Sequence, residues 1–414
     1  MQYVLCEDSS HFDLLPLTFT RPVWDLRVGI DTLGEKWQRC LNAPVATTAY
    51  AYLQARFQNF NPQADSLLIN GKFIPGPDTA AQLAECAPGQ FVLNEYEEVQ
   101  WARCRPAQLG AWNGLLSTES LSAAGLKPVN SPAKAPAAIR YPWDIFRKNG
   151  ECLRADFVAL TAGRKSAPID DRFTAVYGRD NIFLEEGVEL RANVLNADAG
   201  PIYLGKGVKL GEGAMLHGAH ALLPYSSLSM GAKMRGDTTV GPGSKIGGEV
   251  GNSVIQGYSN KGHDGYLGNS VLGHWCNLGA DTNTSNLKNN YSQVRVWNYP
   301  SRRFTKTGDI FCGLIMGDHS KCGINTMFNT GTVVGVSANV FGAGYPRNFI
   351  PSFSWGGPGG LSTYRLPKVY EVAKAVMSRR NRTFDEPEAH ILQSVFELTA
   401  EFRSWDKADK PLQT

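Results

Sequence analysis

Between Glu249 and Asn286 the chain gathers side chains able to move a proton and hold a polar ligand. They are Glu249, Lys261, His263, Asp264, Tyr266, Asn277 and Asn286, with Arg235 shortly before them. An imidazole with an unperturbed pKa near ~6.5 can take a proton at neutral pH. A planar guanidinium can hold two oxygens of a phosphate. Glycines punctuate this stretch, in Lys261-Gly262-His263-Asp264-Gly265-Tyr266-Leu267-Gly268 and in Asn277-Leu278-Gly279-Ala280-Asp281-Thr282. A lone histidine is more often structural than catalytic. His217, His220, His274 and His319 lack such surroundings and are expected at the surface or in coil, with His274-Trp275 in packing.

These residues sit inside a repeat. Steps of six from Leu204 give Leu204, Leu210, Leu216, Leu222, Leu228, Met234, Val240 and Ile246, all apolar. A second run gives Ile310, Met316, Cys322, Phe328, Val334 and Val340. Neither a helix nor an ordinary strand has this period. It indicates a parallel β-helix in which one side chain per hexapeptide points into a narrow core and three hexapeptides make a coil. The residue after the anchor lies at a crowded corner, and glycine stands there at Gly205, Gly211, Gly241, Gly247, Gly273, Gly279, Gly317, Gly323 and Gly335. Arg235 occupies the same place after Met234. The pattern is interrupted between Ile246 and Leu267, and a solenoid departs from its pattern where it builds something other than core.

The repeat fixes the rest of the layout. Residues 1–150 alternate apolar runs at Tyr3-Val4-Leu5, Pro44-Val45-Ala46, Leu67-Leu68-Ile69 and Phe91-Val92-Leu93 with helical patterns over Ile30–Leu41 and Tyr50–Phe57. That alternation predicts an α/β domain with a mainly parallel sheet. Leu126–Ala138, with three prolines, reads as a loop. Residues 151–181 read as a linker, 182–350 as the β-helix, and 351–414 as a short C-terminal helical segment with faces at Val369, Val372, Ala373, Val376 and at Ile391, Val395, Phe396, Leu398. The cluster Arg379-Arg380-Asn381-Arg382 is expected to be a solvated helix end.

Gly262-His263, Tyr266-Leu267-Gly268 and Asn277-Leu278-Gly279-Ala280-Asp281-Thr282 stand at the spacing of a known family. The segment resembles the acetyltransferase domain of the bifunctional N-acetylglucosamine-1-phosphate uridyltransferase/glucosamine-1-phosphate acetyltransferases. The resemblance implies a left-handed β-helix and a homotrimer with active sites between subunits. It also implies acetyl transfer from acetyl-CoA to an amino sugar 1-phosphate. On this reading His263 is the general base and Glu249 orients or polarises it. Arg235, Lys261, Tyr266 and Asn277 contact the sugar phosphate, and Asn286 lies near the acetyl group of acetyl-CoA. The sequence departs from the family at Gly251, where the family has lysine, and at Leu287, where it has tyrosine. Lys261 lies two residues before His263 rather than three. Phosphate binding is therefore altered or moved, and the acceptor can be another amino sugar phosphate.

The N-terminal part resembles a sugar nucleotidyltransferase through Leu14-Leu15-Pro16-Leu17-Thr18-Phe19-Thr20-Arg21-Pro22 and Arg27-Val28-Gly29. In place of a glycine-rich phosphate loop it has Cys6-Glu7-Asp8-Ser9-Ser10-His11-Phe12-Asp13, with three carboxylates. Arg21, Arg27 and Lys72 are the candidates for binding a nucleoside triphosphate, and Asp144 in Tyr141-Pro142-Trp143-Asp144 is the candidate Mg2+ ligand. The alternative is a degenerate domain kept for substrate binding or assembly. Two rivals to acyl transfer stay open. One is a nucleotidyltransferase whose β-helix only oligomerises; the other is a non-catalytic sugar-nucleotide sensor.

The 414 residues suffice for two or three domains, and a net charge of +3 without basic runs argues against a nucleic-acid partner. The eight cysteines form no C-x-x-C pair, which points to free thiols in a reducing compartment. The N-terminus reads as a strand rather than a signal peptide, and no apolar run is long enough to span a membrane. Cytoplasm is the expected location.

Overall fold

Short apolar runs too brief for helices assemble the N-terminal sheet. Its strands are β1 (Gln2–Cys6), β2 (Val45–Thr47), β3 (Ser66–Asn70), β4 (Gln90–Leu93), β5 (Val99–Cys104) and β6 (Lys127–Asn130), in the order β2-β1-β3-β5-β4-β6. All pairs are parallel except those of β5, which runs antiparallel to both neighbours. The computed structural model describes residues 1–408, so the last six positions of the expected C-terminal segment lie outside the described residues. The chain divides into two units, Met1–Leu26 with Asp31–Tyr141, and Arg27–Ile30 with Pro142 onward.

The expected helix at Ile30 begins later, at Leu33, because the Thr32 and Glu35 side chains close a capping box there. Residues Arg27–Ile30 belong instead to the second unit. The Gly29 N–H donates to Asn149 Oδ1 at 2.7 Å, the Ile30 N–H donates to Asp156 Oδ2 at 2.9 Å, and Thr239 Oγ1 donates to Gly29 O at 2.9 Å. Gly29 has φ +82°, and a Cβ there would lie 2.5 Å from Asp156 Oδ2. Residues 127–130, read as loop, form β6. The expected linker at 151–181 is partly helix, since Pro142–Thr161 runs through the expected domain end at 150. Leu153 and Phe157 of this helix pack with Phe183, Ala219, Ala221 and Leu223 on one face of the solenoid.

The β-solenoid begins at Ala175–Tyr177, earlier than the expected 182. Its first face is a nine-stranded sheet from Ile182–Leu184 to Phe349–Ile350. Its second runs from Lys209–Leu210 to Ser354–Gly357, closed by a hairpin with Gly360–Thr363. Its third runs from Ala175–Tyr177 to Tyr266–Gly268, and Asn283–Thr284 pairs with Met327–Phe328 beyond it. The eight anchors from Leu204 to Ile246 are all buried in one core. Full burial of such a side chain is worth about 1.5–3 kcal/mol, so the stack supplies most of the driving force for coiling. A Cβ at Gly241 would lie 2.0 Å from Gln256 O of the next coil, which is why glycine follows the anchor.

The second run of anchors is correct from Met316 onward but not at Ile310, which is 39% exposed. Ile310 lies in an excursion between Thr284 and Ile315 that carries the antiparallel hairpin Arg295–Asn298 with Arg303–Lys306. The helices Leu366–Ser378 and Glu386–Leu398 follow the solenoid and bury Val369, Ala373, Ile391 and Val395. The nearby basic cluster is exposed at Arg379, Asn381 and Arg382 and half-buried at Arg380, and it also touches the solenoid: Arg380 Nε donates to Gly243 O and Arg382 donates to the Tyr258 hydroxyl at 2.7 Å.

Candidate active site

The solenoid does not stop between Ile246 and Leu267; its corners change length. Ile246 pairs with Lys261, Val250 with Leu267 and Ile255 with Leu272, so successive coils stay in register. The step from Ile246 to Val250 is four residues instead of six. This pinches the corner at Gly247-Gly248, while the next coil keeps its full turn there, Gly262 to Gly265. A Cβ on Gly247 would lie 2.5 Å from Gly262 O, and one on Gly248 would lie 2.6 Å from Gly265 O and 2.9 Å from His263 O. The turn carrying His263 therefore rests directly on the two glycines as a ledge. Ser229 Oγ also donates to Gly262 O at 2.7 Å. His263 is exposed, and its ring makes no hydrogen bond among the described residues.

The third face runs away from this ledge. Lys233, Glu249 and Tyr266 stack in one column and Arg235, Gly251 and Gly268 in another. Arg235 donates to Glu249 Oε1 at 3.1 Å, with 72% of the arginine side chain exposed. Glu249 thus pairs with Arg235 rather than with the imidazole it was expected to orient. The reason is the two-column geometry, which brings a cation of the preceding coil beside the carboxylate. Tyr266 folds back over Gly268, where its hydroxyl would sit 2.3 Å from a Cβ. Asn286 Nδ2 donates to that hydroxyl at 3.0 Å and to Asn269 Oδ1 at 2.7 Å. Burial raises the Tyr266 phenol above its ordinary range, opposed by the Asn286 hydrogen bond, while the Glu249 charge adds to the rise.

Two expected contacts lie elsewhere. Asn277 is on the second face, where its Oδ1 accepts from Asn260 Nδ2 at 2.9 Å. Lys261 is 1% exposed and occupies an anchor position, its ammonium donating inward to Gly247 O at 3.0 Å and His263 O at 2.9 Å. It cannot reach a ligand outside the coil. Counting six from Ile255 lands on Lys261 and would have revealed this. Asn269 was missed as a partner of the site; its signal was an asparagine at a corner, and it adopts φ +48°. Of the other histidines, His220 and His319 are buried rather than at the surface. The ring of His220 sits beneath a corner, with Nε2 3.2 Å from His217 O.

The candidate nucleotide residues of the N-terminal unit are otherwise engaged. Lys72 is buried between Asp8, at 2.6 Å, and Glu98, at 2.8 Å. Buried carboxylates need compensation, and Lys72 provides it in place of binding phosphate. Glu7 accepts from the Val23 N–H at 2.9 Å and meets His11 Nδ1 at 2.8 Å. Arg21 pairs with Asp25 at 2.9 Å, and Arg27 belongs to the second unit. Asp144 also belongs to the second unit, with Arg147 3.8 Å away. Among the described residues no group of three or more His, Cys, Asp or Glu side chains is placed to hold a metal ion.

Residues 3–165 match the family model for sugar nucleotidyl transferases. The bifunctional protein GlmU of Rippkaea orientalis is 30% identical over 150 residues, 31% of this chain and 32% of its own length. That of Methanocaldococcus jannaschii is 38% identical over 87 residues, 21% of each chain, and that of Xylella fastidiosa strain M23 is 32% identical over 191 residues, 43% of this chain and 37% of its own. The chain is similar to GlmU proteins over part of its length. It spans at most 37% of the length of these three relatives. The polySia specific acetyltransferase NeuO superposes with a TM-score of 0.25 at 14% identity, over 50% of this chain and 91% of its own, a value that adds nothing to the fold seen directly in the strand ladders. No helix among the described residues is long and apolar enough to cross a membrane.

Proposed function

We propose that the solenoid of this GlmU-like chain transfers an acetyl group from acetyl-CoA to the amine of an amino sugar 1-phosphate, with His263 as general base. The observation that carries this reading is an exposed imidazole, unpartnered among the described residues, on the corner that leads into the face carrying Arg235, Glu249 and Tyr266. The imidazole takes a proton from the substrate ammonium, and the freed nitrogen attacks the thioester carbonyl carbon. Collapse of the tetrahedral intermediate breaks the C–S bond, the imidazolium gives its proton to the leaving thiolate, and the nitrogen releases its second proton to solvent to leave the neutral amide. Arg235 holds the sugar phosphate, and the Tyr266–Asn286 pair lines the acceptor side. The third face stays open in one chain, which suits a homotrimer whose neighbour closes the site. Such a reaction supplies nucleotide-sugar precursors in the cytoplasm.

A second reading, nucleotidyl transfer by the N-terminal unit, is favoured by the family match over residues 3–165. The engagement of Lys72 by Asp8 and Glu98 weighs against it. The deciding assay measures thiol release from acetyl-CoA with glucosamine 1-phosphate and related amino sugar phosphates, for wild type and His263→Ala. A fall of about 10²–10⁴-fold in the variant is expected. A wild type inactive with every acceptor overturns the acyl-transfer reading, and pyrophosphate release from nucleoside triphosphates with Mg2+ then tests the second.

A further inference from the structure

Lysine is among the residues least often fully buried, and when buried it is normally paired. Lys261 nevertheless fills an interior anchor position, stacked on Ile246 below, with the Leu278 strand next above. Among the described residues no carboxylate is bonded to its ammonium. Its partners are two corner carbonyls, Gly247 O of the pinched coil and His263 O of the ledge above it. A hydrophobic anchor would leave both carbonyls facing the core without this donor, so the lysine is matched to the shortened corner. The two bonds link the floor of the ledge to the residue that carries the imidazole.

We propose that Lys261 is a positioning residue, a donor clamp inside the coil that fixes the His263 ledge. The proposal rests on the acyl-transfer reading only for its effect on turnover. The groups whose charges reach the ammonium are Asp264 on the ledge, Asp281 in the next coil and Cys322 in the core; all three favour its charged form, while burial opposes it and brings it down to about 8. Opening the ledge would return the ammonium to water and to its ordinary, higher pKa, so the open form binds the proton more tightly and protection of the ledge rises as pH goes up through about 8.

The test uses the full chain and Lys261→Met, which keeps the side-chain length and removes the charge. Hydrogen–deuterium exchange of the segment 262–266, corrected for intrinsic rates, should be at least ten-fold faster in the variant, with the 204–222 coils unchanged. Acetyl transfer should fall in kcat more than it changes KM for acetyl-CoA. If the variant does not fold, the wild type alone decides: protection of 262–266, corrected for intrinsic rates, should rise across pH 8 while that of 204–222 holds. Unchanged exchange in a folded variant, or wild-type protection flat across pH 8, overturns the clamp. If the wild type transfers no acetyl group, the acyl-transfer reading fails and the exchange measurements still decide the clamp.

Discussion

Gly268→Ala isolates the arrangement that places Tyr266. The backbone at Gly268 is not in the left-handed region, so alanine meets no conformational strain there. Its methyl group would instead fall 2.3 Å from the Tyr266 hydroxyl and 2.7 Å from Asn286 Nδ2. Both are the far ends of side chains and can swing away without moving the coil. The loss is then confined to the bonds from Asn286 to Tyr266, at 3.0 Å, and to Asn269, at 2.7 Å. At about 0.5–1.5 kcal/mol net for each hydrogen bond, the variant should be destabilised by roughly 1–3 kcal/mol. Denaturant unfolding of the wild type, Gly268→Ala, Tyr266→Ala and the double variant measures this, and in the Tyr266→Ala background the alanine should cost less than half as much. An equal cost in both backgrounds, or a loss above about 4 kcal/mol, would mean that the glycine serves the backbone of the coil and that the ring-over-glycine account is mistaken.

Two further outcomes follow from buried charge. Burial pulls His220 down to about 4, opposed by the His217 carbonyl, so the folded chain keeps this ring neutral. The unfolded chain binds the proton first, and this contribution to stability is complete above ~6.5 and is lost as pH falls from there toward 4; it amounts to about 3 kcal/mol. His220→Leu should flatten acid unfolding of the solenoid over that window, as followed by circular dichroism, and an unchanged acid limb would refute it. In the N-terminal unit, Lys72→Met strips Asp8 and Glu98 of their shared cation and should destabilise by about 3–5 kcal/mol. Hydrogen bonds from Arg140 and Lys72, against the opposing effect of burial, hold Glu98 down at about 2, so the stability it lends is complete above the usual glutamate range near ~4.3 and disappears as pH falls toward 2. Loss of less than about 1 kcal/mol in Lys72→Met by urea unfolding would show that the lysine is not the counter-ion of these carboxylates.

The sequence by itself determined the solenoid, because a period of six forces one side chain per hexapeptide into a core too narrow for anything else. It also determined the short buried strands of the N-terminal sheet and the neighbourhood of His263, since the glycine and tyrosine spacing there is local. Tertiary structure alone decided which corner is pinched, because corner length shows only when one coil is laid on the next; that register turned Lys261 inward and paired Glu249 with Arg235. It decided that Ile310 leaves the phase, since an excursion ending on the right residue count looks like a continuing repeat. It also decided the fate of the N-terminal cations. Lys72 and Arg21 read as phosphate ligands while their partners are unknown, and as counter-ions once Asp8, Glu98 and Asp25 are beside them, because a buried charge is satisfied by whatever the fold brings within a few ångströms.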